Sequence, residues 1–211
     1  MNAHEKMIKK IGITGGIGSG KSEACKILER MGEKVLYADL IAREITINDP
    51  EVQNEIKQIF GNEFFDKSGK IDRKKLAALV FNDEDVLSVL NSIVHPRVFK
   101  EIDRQSEKLS ALGVEQVFIE AALIFETCMD DNLDLVIVID ADEKKRLDRV
   151  LKRDGMSEEE FYKRASFQLS SEEKIRLADF TIKNNGSIIE LERNLLFITG
   201  LVKAYKVNRN D

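Results

Sequence analysis

Residues 15–22 read GGIGSGKS and follow the largely apolar run MIKKIGIT, residues 7–14. Gly15, Gly20, Lys21 and Ser22 occupy the fixed places of a G-x-x-x-x-G-K-[ST] phosphate loop. Glycines let such a loop fold tightly, so that backbone N–H groups converge on phosphate oxygens. The lysine reaches the β- and γ-phosphates, and the hydroxyl after it can ligate Mg²⁺. Ala24, Ile27, Leu28 and Met31 then recur at helical spacing until Gly32 ends the run. A helix starting there aims its positive end at the same anion. An ordinary Gly-rich turn is the alternative, and the strand–loop–helix context weighs against it. The stretch reads as a nucleoside triphosphate site, with Gly16, Gly18, Ser19, Gly20, Lys21, Ser22 and Glu23 around the ligand.

A chain of 211 residues, 43% apolar and 34% charged, can bury a core as one domain. Its net charge of −5 argues against nucleic acid as a partner, because no basic arm offsets it. Cys25 and Cys128 lack metal-ligand spacing and sit among apolar residues, so both are expected to be buried free thiols. No 18-residue apolar run suggests a membrane span, and MNAHEKMIKK lacks a signal-peptide core. A cytoplasmic protein, monomeric or a weak homo-oligomer, is the expectation.

Short β-rich runs alternate with longer helical ones. Strands are expected near 8–14, 34–38, 115–120, 134–140 and 179–183, with a last helix over about 187–206. Ser187 and Glu190 give that helix capping-box spacing, and Leu191, Leu195, Ile198, Val202 and Tyr205 give it one apolar face. Alternating strand and helix predicts an α/β fold with a parallel sheet covered on both faces. Right-handed crossovers then bring the strands' carboxyl ends to one rim, where ligands bind. The region 40–110 interrupts the alternation and is mostly helical, with a turn-rich patch at 60–72. A helix begins near Asp83, and Pro96 is expected to push His95 out of helical geometry.

Residues just past the strand ends are the candidates for chemistry. Asp39, after the second strand, could take a proton from an attacking hydroxyl, or simply cap a helix starting at Leu40. Arg43, one turn on, could pair with it or hold an anionic acceptor. Glu120 ends the third strand where an acid could help hold Mg²⁺ through water; Glu126 is a second candidate, and a helix-starting acid is the alternative. Arg146, Arg149 and Arg153 share one helix face, either closing over a phosphoryl group or forming a solvated basic face. Asn184 and Asn185, after the fifth strand, suit a turn that could touch a purine.

Taken in order, GITGGIGSGKS, ADLIAR, the FG…SGKIDRKKLAALVF segment, IVHP, ALIFE, RLDRVLKRDG, ASFQ and ADFTIKNNG resemble the dephospho-coenzyme A kinase family. The resemblance runs from Gly12 to Gly186. It implies a single phosphate-loop kinase domain over 1–211, with five parallel strands flanked by helices. An acceptor-binding helical insertion would occupy about 60–110 and a lid about 143–170. The implied reaction is γ-phosphoryl transfer from ATP, with Mg²⁺, to the ribose 3′-hydroxyl of dephospho-coenzyme A. Asp39 then matches the base or hydroxyl-orienting group, Phe81 and His95 fall in the acceptor insertion, and Arg149 and Arg153 are the preferred lid arginines, with Asn185 at the nucleotide.

Three departures from the family pattern stand out. Tyr37 replaces the first carboxylate of an Asp-Ala-Asp run, Glu23 follows the loop serine where threonine is common, and Ala122 replaces a proline. Rival readings are a nucleoside-monophosphate or small-metabolite kinase, a nucleotide-dependent switch, and a non-catalytic nucleotide binder. The switch lacks support, since no Asn-Lys-x-Asp guanine-reading tetrad occurs.

Overall fold

Strand β1 (Lys9–Thr14) is buried from Ile11 to Thr14, as a strand covered on both faces requires. In the computed structural model, which describes residues 8–66, 69–72, 75–76, 79 and 83–204, it lies at the middle of the sheet. The other strands are β2 (Lys34–Tyr37), β3 (Gln116–Glu120), β4 (Leu135–Asp140) and β5 (Phe180–Lys183), each close to its expected span. All pair in parallel, in the order β2-β3-β1-β4-β5. Because the strand order runs outward from β1 in both directions, the carboxyl end of β1 opens onto the switch point of the sheet. The phosphate-loop sequence begins there.

The described helices are α1 (Lys21–Arg30), α2 (Ala38–Asn48), α3 (Pro50–Phe60), α4 (Glu84–Ala111), α5 (Glu143–Asp154), α6 (Glu158–Ala165), α7 (Ser171–Leu177) and α8 (Ile188–Ala204). The chain groups into two compact units, Met1–Tyr37 with Ser106–Asp211, and Ala38–Gln105. In the first, Ile27 and Leu28 of α1 and Leu191, Leu195 and Val202 of α8 pack with Ile11, Ile13, Phe118, Ile137 and Ile139 of the sheet. Helix α8 opens with the expected box: Glu190 N–H donates to Ser187 Oγ at 3.3 Å, and Ser187 N–H donates to Glu190 Oε2 at 2.8 Å.

In the second unit, Asp49 caps α3 by accepting from the amides of Glu51 and Val52, with Pro50 at the first helical position. The turn-rich patch closes with an antiparallel bridge between Phe65 and Ile71. Asp83 starts α4 by accepting from the amides of Asp85 and Val86. Phe81 and Tyr205 lie outside the described residues.

Three expectations are corrected. Helix α4 runs through Pro96 without ending, so His95 stays helical. A proline inside a helix removes an N–H and crowds the preceding turn. Arg97 braces the same turn: its Nη1 donates to the Ile93 carbonyl at 2.8 Å while its Nη2 donates to Glu55 at 2.6 Å. Ile93, Val94, Val98 and Ile102 are buried, so the helix continues because its packing outweighs the local cost. Second, no helix follows Glu120; residues 122–128 form a run of turns, which removes the helix-starting role. Third, Cys128 is exposed rather than buried. It adopts a left-handed backbone (φ 53°), while Ile124, Phe125 and Met129 around it take the buried apolar positions.

The packing of α8 sets a stability contrast. Leu195 is fully buried and Leu196 is 62% exposed. Leu195→Ala should lower the unfolding free energy by about 2–5 kcal/mol, and Leu196→Ala by no more than about 0.5 kcal/mol, measured by urea denaturation.

Candidate functional site

The loop between β1 and α1 is held by its carbonyls. Lys21 Nζ donates to the Gly15 carbonyl at 3.1 Å, and the Ser19 amide donates to the Gly16 carbonyl at 3.0 Å. Arg149 Nη1 lies 3.4 Å from the Gly18 carbonyl and 3.3 Å from the Ser19 carbonyl. Asn184 Nδ2 also donates to the Ser19 carbonyl, at 2.8 Å. Two glycines are required by conformation as well as space. Gly18 (φ +77°) would drive a Cβ into the backbone carbonyl of Arg146, and Gly20 (φ +100°) into the Asn184 amide.

The loop lines a cavity of about 560 Å³ together with Lys26, Arg149, Lys152 and Arg153. Its charged lining is five cations, counting Lys21, against the single carboxylate of Glu23. Such a field suits a polyphosphate. Glu23 does not oppose it unbalanced, because its carboxylate lies 3.9 Å from Lys26 and 3.8 Å from Arg30.

The three arginines of α5 have different fates. Arg146 has a side chain only 12% exposed, lies 6.0 Å from the Phe161 ring, and sits where a Cβ on Gly16 would meet its Nη1. Its Nε is buried with no hydrogen-bond partner among the described residues. Arg149 binds the loop carbonyls and donates from Nη2 to the Asn184 carbonyl at 2.7 Å. Arg153 is exposed and paired with Asp154 at 2.7 Å. A solvated basic face therefore describes Arg153 but neither of its neighbours.

The two asparagines also divide. Asn184 is buried against the loop, while Asn185 exchanges hydrogen bonds with Asp142: its Nδ2 donates to Asp142 Oδ1 at 2.7 Å and its Oδ1 accepts from the Asp142 amide at 2.9 Å. The Asn-Asn pair signalled this turn but not which member turns inward.

Glu120 closes β3 in register with Ile13 of β1 and Tyr37 of β2, and is buried. Burial first, then the Glu120 charge, pushes the Cys25 thiol up to about 12, with Lys21 opposing. Those effects place Glu120 and Lys21 in the neighbourhood of one buried thiol. Tyr37, where a carboxylate was expected from the resemblance, donates its hydroxyl to Glu29 at 3.0 Å. Burial and that hydrogen bond raise its pKa. Glu126, the second metal candidate, is taken by Lys174 at 2.7 Å.

Asp39 lies in the first turn of α2, which starts at Ala38, so it is inside the helix rather than its cap. Both Asp39 and Arg43 are exposed. His95 faces Phe99 with ring centroids 6.1 Å apart, and burial lowers its pKa, so it is neutral at neutral pH. Among the described residues no group of three or more His, Cys, Asp or Glu is placed to hold a metal. No helix among them is long and apolar enough to cross a membrane.

A five-stranded parallel sheet with a phosphate loop at its switch point, ringed by cations, defines a phosphate-loop kinase fold. Residues 9–190 match the model of the dephospho-CoA kinase family, and the chain belongs to that family. A curated dephospho-CoA kinase of Carboxydothermus hydrogenoformans is 38% identical over 188 residues, covering 89% of this chain and 91% of its own. The solved structure of TT1252 from Thermus thermophilus is 35% identical with a TM-score of 0.79, over 92% of this chain and 98% of its own. A dephospho-CoA kinase structure from Campylobacter jejuni is 30% identical with a TM-score of 0.67, over 92% and 97%.

The two thiols should separate cleanly. Cys25 is buried with its pKa pushed up to about 12, and Cys128 is exposed. In the native protein near pH 8, a disulfide reagent should titrate Cys128 alone, and Cys25 only after unfolding.

Proposed function

We propose that this chain transfers the γ-phosphoryl group of ATP to the ribose 3′-hydroxyl of dephospho-coenzyme A, completing coenzyme A. The observation that carries the reading is a whole phosphate loop, cation-lined, in a chain that matches the dephospho-CoA kinase family over residues 9–190. Cytoplasmic residence accords with this chemistry, and the expectation of a monomer or weak homo-oligomer is retained.

Roles follow from chemistry and from the family resemblance. Lys21 and the amides of Gly16, Gly18, Gly20 and Ser22 hold the triphosphate. Ile17 and Ser19 are exceptions, since their amides already donate within the protein. Phosphoryl transfer asks little covalent chemistry of the enzyme and much positioning. The cationic lining supplies stabilisation for charge that spreads over the transferring oxygens. Arg149 keeps the loop carbonyls in place, and its charge faces the same cavity. The Arg153–Asp154 pair is exposed, so holding it contributes little and the guanidinium can turn to the nucleotide at small cost.

Magnesium fits the donors present. Ser22 offers an exposed hydroxyl next to Lys21, and Glu120 offers a buried carboxylate at the same sheet rim. Two hard oxygen donors, completed by phosphates and water, are the usual complement for Mg²⁺, which needs no all-protein cage. When bound it neutralises charge on the β- and γ-phosphates.

Asp39 is the proposed group that orients or deprotonates the 3′-hydroxyl. Arg43 and the insertion at about 60–110, including Phe81 and His95, bind the acceptor. His95, neutral by burial, would contact it through its ring rather than by charge. Residues of about 143–170 act as the lid that excludes water, without which ATP would be hydrolysed.

The deciding assay is ADP release with Mg²⁺-ATP, offering dephospho-coenzyme A, AMP, UMP, CMP or adenosine. Stimulation by dephospho-coenzyme A alone is expected; stimulation by a monophosphate would transfer the chain to another kinase class. Asp39→Asn should cut kcat by about 10²–10⁴-fold with ATP affinity near wild type. Unchanged turnover would remove Asp39 from the chemistry.

A further inference from the structure

Gln168 enters the sequence only as the end of the ASFQ run, yet it reaches the phosphate loop. Its Oε1 accepts the Ile17 amide at 2.9 Å, and its Nε2 donates to the Ala122 carbonyl at 3.3 Å. That carbonyl is a hub. It also accepts from Thr14 Oγ1 at 3.3 Å and from Lys174 Nζ at 3.0 Å. Lys174 is fully buried, and its ammonium is balanced by Glu126 Oε1 at 2.7 Å. Glu126 Oε1 also accepts the Leu169 amide at 2.8 Å, next to Gln168.

These bonds join into one path: Ile17 to Gln168, Gln168 to Ala122, Ala122 to Lys174, Lys174 to Glu126, and Glu126 back to Leu169. Both ends of the Gln168 amide are thereby fixed, and so is the backbone that carries it. Ile17 lies between two glycines, and its side chain packs against the small cluster of Val150, Met156 and Phe161. A peptide flanked by glycines has a wide choice of orientation. The Gln168 bond removes that choice by deciding which way the Ile17 N–H points.

We propose that Gln168 is a positioning residue for the nucleotide. It turns the Ile17 peptide away from the cavity and so leaves the neighbouring amides to converge on phosphate. The pair of buried Lys174 with Glu126 holds Gln168 in register. The proposal rests on the reading that this loop grips ATP.

The test uses the full chain with Gln168→Met, which keeps the volume and removes both hydrogen bonds. Four quantities are measured: hydrogen exchange at the Ile17 amide, the Kd of a fluorescent ATP analogue without acceptor, KM for each substrate, and Tm. Ile17 exchange and ATP Kd should each rise about tenfold, the equivalent of one lost hydrogen bond. The KM for dephospho-coenzyme A should stay within about twofold, and Tm within a few degrees. Gln168→Asn, one methylene short, is the gentler variant and should show the same pattern if Gln168→Met folds poorly.

Wild-type exchange at Ile17 or wild-type ATP affinity in these variants would overturn the proposal. So would equal weakening of both substrates with a falling Tm, which marks a general structural role. Failure of the unsubstituted protein to bind the ATP analogue would instead overturn the ATP reading, and the Ile17 exchange would still decide the link to Gln168.

Discussion

A loop that reserves amide N–H groups for an anion must satisfy its carbonyls elsewhere. Here the carbonyls of Gly15, Gly16, Gly18 and Ser19 accept from Lys21, the Ser19 amide, Arg149 and Asn184. Buried backbone polar groups are costly when unpaired, so this pairing is a condition of the loop's existence. Much else in the first unit follows from it. The fifth strand delivers Asn184, α5 delivers Arg149, and both need the parallel sheet to arrive on the same rim as the end of β1.

The same constraint explains why three arginines with one helical spacing behave so differently. Rotation along α5 places Arg146 under the loop and Arg149 across it, while Arg153 reaches solvent. Charge alone does not sort them. What sorts them is how many partners a guanidinium finds once it is removed from water. Arg149 finds three carbonyls, Arg146 finds an aromatic ring and the Glu143 carboxylate at 4.0 Å while its Nε has no hydrogen-bond partner among the described residues, and Arg153 finds a carboxylate next door.

Much of this was legible in the residues. The five strands could be placed because each is a short apolar run bounded by breakers, and α8 because of its cap and repeat. The loop was legible because its mechanism needs those residue types at that spacing. The side chains that hold the loop's carbonyls were less so. Asn184 and Asn185 are chemically identical in a sequence, and only the register of β5 against β4 decides which one turns inward. Pro96 reads as a stop, but burial of Ile93, Val94, Val98 and Ile102 on either side of it carries the helix through, and that burial is decided by tertiary packing. Cys128 reads as apolar company for Ile124 and Phe125, and only the turn it closes shows that it faces out while they face in. Gln168 enters only as the end of the ASFQ run, which names none of its partners, because these are backbone groups, more than a hundred residues away in one case.

The pairing of the loop's carbonyls also has an order in time. The loop is complete in sequence by Ser22, but the Ser19 carbonyl waits for Asn184, 165 residues later, and for Arg149, 130 residues later. Contacts of such separation form late, after the chain has met its loop-closure entropy. During synthesis the amino-terminal strand, loop and helix therefore emerge without the groups that shape them. A ribosome-bound fragment ending before the fifth strand carries the whole motif and Arg149, but not the Asn184 that the Ser19 carbonyl waits for.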